Sequence, residues 1–141
     1  MKLSDMKVDH KLSEEGEWVQ NIPNADDLEL RVRGLSCASA RVLRNQLVRA
    51  LPAAVRNDPN GLPIEVTDRI EATILKDVIL LEWRNLDDGP YSKELAAQYL
   101  DDPDYAEFRD AVVWASSRVG RQRAAAKAAD MGNSGTASAG N

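Results

Sequence analysis

At 141 residues, with 43% hydrophobic and 29% charged side chains, the chain fits one globular core and excludes a second independent one. Its strongest apolar run, Val78 to Leu81, falls far short of the roughly 20 residues that a membrane span needs. The net charge of −5 is uneven: residues 30–57 hold Arg31, Arg33, Arg41, Arg44, Arg49 and Arg56 with no acid, and the remainder is strongly acidic, so the two parts should attract one another or opposite partners.

The polar first ten residues lack a signal-peptide core, so the chain is expected to stay in the cytoplasm where it is made. Val8, His10 and Leu12 alternate with charged residues, Glu14-Glu15-Gly16 reads as a turn, and Trp18, Val19 and Ile22 follow, which predicts a hairpin. Leu28, Leu30 and Val32 alternate with Glu29, Arg31 and Arg33 as in a half-buried strand, so residues 6–33 read as a three-stranded meander. Gly34 ends it, and Ser36 or Ser39 offers a cap for a helix limited by Pro52. Ala40, Leu43, Leu47, Ala50 and Leu51 share one face of that helix, and Arg41, Arg44, Asn45 and Arg49 share the other. The single Cys37 has no cysteine partner for a disulfide or zinc site and is expected to be buried or half-buried near the helix start.

Residues 53–63 read as a Pro/Gly loop. Val66, Ile70, Ile74, Val78 and Leu81 then predict a central helix over roughly 63–84, closed by Trp83. Asp87-Asp88-Gly89-Pro90 is a turn, Ser92 caps a short helix to Leu100, and Asp102-Pro103 starts a last helix in which Tyr105, Phe108, Val112, Ala115 and Val119 recur at three and four. Arg118, Arg121, Arg123 and Lys127 crowd its end, suiting the helix dipole. The closing MGNSGTASAGN lacks core-forming residues and is expected to be disordered. The expected fold class is therefore α+β, mainly α: a small N-terminal antiparallel β-meander (6–33), a four-helix body (36–128), both in one domain, and a disordered tail (129–141).

The residues offer no catalytic constellation, and the chain is expected not to be an enzyme. His10 is the only histidine and suits a surface or packed position better than general acid–base work. The acidic pairs sit in turns and at helix starts, where carboxylates accept backbone N–H bonds. An EF-hand ending at Glu94 would put Trp83 at its first ligand position, and no phosphate-binding glycine loop or nucleophile elbow is present. No cofactor and no metal is expected. Arg41, Arg44 and Arg49 could follow phosphates, but the acidic whole and the absence of a base-reading helix disfavour nucleic acid against an acidic protein partner or internal pairing. Of Trp83, Tyr91, Tyr99 and Trp114, at least half should be core and the rest interface anchors. These seven side chains are the candidate protein-interaction residues.

The segment 82–105 (EWRNLDDGPYSKELAAQYLDDPDY), with its tryptophan, acidic Gly-Pro turn, Tyr-Ser start, short helix ending in Tyr-Leu and following Asp-Pro, resembles the C-terminal half of the tail assembly chaperones of long-tailed bacteriophages. Met1 to Asp5, Gly16-Glu17-Trp18 and LELRVRGL (28–35) before an Arg-rich helix are similar to small tail-gene products of prophages, extending the resemblance over about residues 1–120. The resemblance implies a protein made in the cytoplasm of the bacterial host that binds the tape measure protein, keeps it soluble and helps bring tail tube protein onto it. A second copy of the chain is a further candidate partner. The alternatives are a structural virion component, such as a tail-completion or head–tail joining protein, and a DNA-binding regulator.

Overall fold

The computed structural model describes residues 1–121. A 3-10 turn at Leu3–Met6 leads into α1 (His10–Glu15), β1 (Glu17–Val19) and β2 (Glu29–Val32). Then come α2 (Ala38–Arg49), the single turn α3 (Ala53–Arg56), α4 (Ile64–Ile74), a π-helical turn Leu75–Ile79 and β3 (Leu80–Arg84). The chain closes with α5 (Lys93–Leu100), a 3-10 turn Pro103–Tyr105 and α6 (Ala106–Arg118). The α+β, mainly α class is the class of the molecule.

The small sheet is assembled differently from the expected meander. It has the order β1-β2-β3, all antiparallel, and its third strand comes from the end of the expected central helix. β2 is central: Leu30 lies opposite Val19 on one side and Trp83 on the other. Val19, Leu30 and Val32 are fully buried, whereas the opposite face carries Arg31 beside Glu82 at 3.9 Å and Arg84 stacked 3.7 Å over the Trp18 ring. An alternating strand with one wet face does this. α6 covers the dry face, where the Ser116 hydroxyl donates to the Arg33 carbonyl at 2.7 Å.

The helix expected over 63–84 stops at Ile74 and passes through the π turn. Residues 74–81 are apolar nearly all round, a pattern that a buried helix and a buried strand share, and pairing with β2 decides for the strand. Leu80 pairs with Val32 and Glu82 with Arg31, so Leu81 is the extra residue of a bulge. Trp83 therefore closes no helix; it is a core residue of β3, 5% exposed.

The expected strand at 8–12 is also a helix. Asp9 caps α1 by accepting from the Leu12 amide at 3.0 Å, and Gly16, at φ 87°, ends it. A side chain at Gly16 would collide with Leu81 at 2.8 Å and the Val32 carbonyl at 3.0 Å. The start of α2 is held from outside. Neither serine caps it; the Glu14 carboxylate accepts from the Ser39 amide and hydroxyl, and these bonds, hydroxyl first, hold its pKa below the usual carboxylate value. Cys37, the residue preceding α2, is buried and free, as expected, and burial raises its thiol pKa.

Ser92 caps α5 as expected, accepting from the Leu95 amide at 3.0 Å, whereas Asp102, accepting from the Asp104 amide at 2.9 Å, caps the 3-10 turn Pro103–Tyr105, and α6 follows from Ala106 without a side-chain cap. The last helix is shorter than expected, because Val119 is extended and Gly120 has φ 78°. A Cβ at Gly120 would meet the Asp9 carbonyl at 2.9 Å, so the α1 entry fixes where α6 ends. Arg123, Lys127 and the tail expected to be disordered lie outside the described residues. The core joins Leu30, Ile74, Leu75, Ile79, Leu80 and Val112 beneath the sheet. Among the described residues, no helix is long and apolar enough to cross a membrane.

Candidate functional site

Two turns of similar composition, Asn24-Ala25-Asp26-Asp27 and Asn85-Leu86-Asp87-Asp88, lie next to each other beside α6. Asn24, Asp26 and Asn85 have φ of 60°, 49° and 64°, a left-handed geometry that Asn and Asp tolerate better than bulkier residues. The Asn85 side-chain amide donates to the Asp27 carbonyl at 3.0 Å and to Glu29 Oε2 at 3.3 Å, joining the turn before β2 to the turn after β3.

The second turn is anchored from below by aromatic side chains. Trp83 Nε1 donates to the Gly89 carbonyl at 2.8 Å, and its ring meets Tyr91 and Phe108 edge-on, with centroids 5.0 and 6.0 Å away. The Tyr99 hydroxyl donates to Asp88 Oδ2 at 2.6 Å. That bond, with burial and the Asp88 charge, pushes the phenol pKa up to about 12.

Between these turns and α6 opens a groove of about 620 Å³. Its floor includes Leu86, Phe108 and Trp114, all half-buried, and its rim carries Asp26, Asp27, Asp87, Asp88, Glu107 and Asp110. No Lys, Arg or His lines it among the described residues. Concentrated carboxylates in a concave surface focus negative potential and draw cations toward it. The carboxylates do not converge: among the described residues no three His, Cys, Asp or Glu side chains are placed to hold one metal ion.

The seven candidate interaction residues separate. Trp83 and Tyr99 are core, Tyr91 is half-buried with its hydroxyl 3.4 Å from the Leu80 carbonyl, and Trp114 lines the groove with Arg118 over its ring at 4.8 Å. Arg41 and Arg49 are exposed on α2, but Arg44 makes a two-pronged pair with Glu71 of α4 at 2.9 and 3.2 Å. Part of the cationic face thus serves helix packing. The groove as a unit is absent from the sequence reading. Its signal was the repeated Asn-x-Asp-Asp, 61 residues apart, whose acids are individually ordinary turn formers.

The molecule is an α+β, mainly α protein that presents, among the described residues, an acidic groove with half-buried Leu86, Phe108 and Trp114 in its lining. The sequence pattern of the YdaY prophage protein family matches residues 36–133, and the chain belongs to that family. The match takes in the second Asn-x-Asp-Asp turn and the α6 wall of the groove, and leaves the first turn outside it. No curated protein and no solved structure matches the chain.

Proposed function

We propose that this prophage protein is a tail assembly chaperone, a non-enzymatic factor that binds the tape measure protein in the host cytoplasm, keeps it soluble and assists the assembly of tail tube protein around it. Membership of a prophage family agrees with a phage origin, and the likeness of residues 82–105 to tail assembly chaperones supplies the particular role. The observation that carries the reading is the groove. An open concave surface with half-buried aromatic side chains and an acidic rim, with no cation in its lining among the described residues, suits the capture of an amphipathic segment, which is how a holding chaperone shields apolar surface.

Co-expression with the tape measure protein of the same prophage tests it. The tape measure protein is expected to become soluble and to co-purify with this chain, while mass spectrometry finds the chain absent from finished particles. Stoichiometric amounts in purified virions, with no effect on tape measure solubility, would instead favour the structural virion component.

A further inference from the structure

We propose that the acidic groove seats a basic amphipathic helix of the partner, with aliphatic side chains on Phe108 and Trp114 and Lys or Arg reaching the carboxylates on either side. The inference deepens the chaperone reading and rests on it only for the partner's origin. The partner's chemistry follows from the groove.

Leu86, Phe108 and Trp114 in the floor are only half-buried, so covering them removes further apolar surface from water. The rim is acidic on all three walls, with Asp26 and Asp27 from the first turn, Asp87 and Asp88 from the second, and Glu107 and Asp110 from α6. Among the described residues, no Lys or Arg lines the groove, and the cations of the adjoining elements have other contacts. Arg84, at the end of β3, lies over Trp18 on the opposite sheet face, and Arg109, between two wall residues of α6, donates to the Asp68 carbonyl at 3.4 Å. Arg118 stacks on the Trp114 ring without lining the groove, which marks that ring as a surface accepting cations.

The walls are also fixed before a partner arrives. The Asn85 amide ties the two turns, Trp83 holds the Gly89 carbonyl, and Tyr99 holds Asp88. A preformed site loses less conformational freedom on binding than one that must order itself. A neutral or acidic helix would leave the rim carboxylates facing apolar or like-charged groups, whereas a basic one matches them. Lys and Arg stems would in addition lie along the aromatic floor while their charged ends reach the rim.

A labelled synthetic helix of about five turns, with Leu on one face and Lys flanking it, is titrated by fluorescence anisotropy against the full chain at low and moderate salt. Saturable binding that weakens with salt is expected, with no measurable binding of the same peptide carrying Glu for Lys. Combining Asp26→Asn, Asp87→Asn and Asp110→Asn should weaken it about tenfold, as loss of three rim pairs implies. Trp114→Ala should weaken it independently, and Arg41→Gln with Arg49→Gln on α2 should leave it unchanged. Circular dichroism melts establish that each variant is folded; were the triple variant unfolded, the salt dependence and Trp114→Ala still decide.

Equal binding of the Glu peptide, or binding indifferent to all groove variants, would overturn the proposal. Binding seen only after removal of residues 122–141 would also overturn it, by making the chain's own Arg- and Lys-bearing segment after Gly120 the occupant. If the tape measure protein co-purifies equally with the triple variant, the groove assignment falls and the chaperone reading stands. If the Lys peptide binds as described but the tape measure protein stays insoluble, the chaperone reading falls and the groove assignment stands.

Discussion

The cationic face of α2 and the acidic groove beside α6 are both charged surfaces, yet they are built differently. α2 buries only Ala40 fully, and one of its three candidate arginines is already paired with Glu71. The groove lies over Trp83, Phe108 and Tyr99, has both turns pinned by side-chain hydrogen bonds, and lacks a compensating cation in its lining among the described residues. A run of one charge in a sequence does not by itself indicate a binding surface. What matters is whether the fold answers that charge internally, as at Arg44, or leaves it facing a shaped apolar floor.

The largest effect should come from the core that both surfaces share. Ile74 is fully buried where α4 passes into the π turn, and Ile74→Asp places an uncompensated carboxylate there. The cost of several kcal/mol is a large part of a typical total of ~5–15 kcal/mol, so the cooperative thermal transition should disappear. A melt like that of the parent chain would show that the site is not buried.

Trp83→Ala separates the two surfaces. It removes the edge-on contacts to Tyr91 and Phe108 and leaves the Gly89 carbonyl without its donor, so denaturant unfolding should show a loss of about 3–5 kcal/mol. Amide exchange should quicken at residues 85–89 more than along α2. Uniform loss of protection would mean that the groove has no structural identity of its own.

The reverse experiment is Arg41→Gln, Arg44→Gln and Arg49→Gln together. Stability should fall by no more than about 1 kcal/mol, because the Arg44–Glu71 pair is about one-third exposed and the apolar face of α2 is untouched. Loss of the cooperative transition in urea would show that the cationic face carries more of the fold than its contacts suggest. Tight, sequence-selective binding of a DNA duplex that this change abolishes would promote the regulator reading.

The smallest effect is in the alkaline pH dependence. Tyr99 is bound to Asp88 as a neutral phenol, so its pKa is raised from about 10 in the unfolded chain to about 12 in the fold. The unfolded chain therefore loses that proton first, and the contribution, complete below pH about 10, should fade as pH rises toward about 12. Tyr99→Phe should flatten this decline without removing it, since burial also raises the Tyr91 pKa. An identical alkaline profile in both proteins would show that the Tyr99–Asp88 bond is not populated.

Local signals were legible where chemistry and neighbours agreed. Ser92 caps the helix that its position suggests, Asp102-Pro103 starts a 3-10 turn that leads into the last helix, and the alternation at 28–32 is the central strand. Residues 80–84 were illegible because an apolar run suits a buried helix or strand equally, and the partner that decides, β2, lies some 50 residues earlier. Residues 10–15 misled because the alternation of Val8, His10 and Leu12 spans too few residues to outweigh the Asp9 cap. The groove was hidden for a related reason. Its acids come from three stretches that meet only once β3 pairs with β2, and each stretch alone reads as a turn or a helix start.

Amide hydrogen exchange on this chain, free and bound to the tape measure protein, is the most direct test of the account. Slowed exchange is expected at residues 24–28, 85–89 and 107–114 in the complex, with residues 38–49 of α2 unchanged. Protection confined to α2, or a complex that forms without protecting any groove wall, would contradict it.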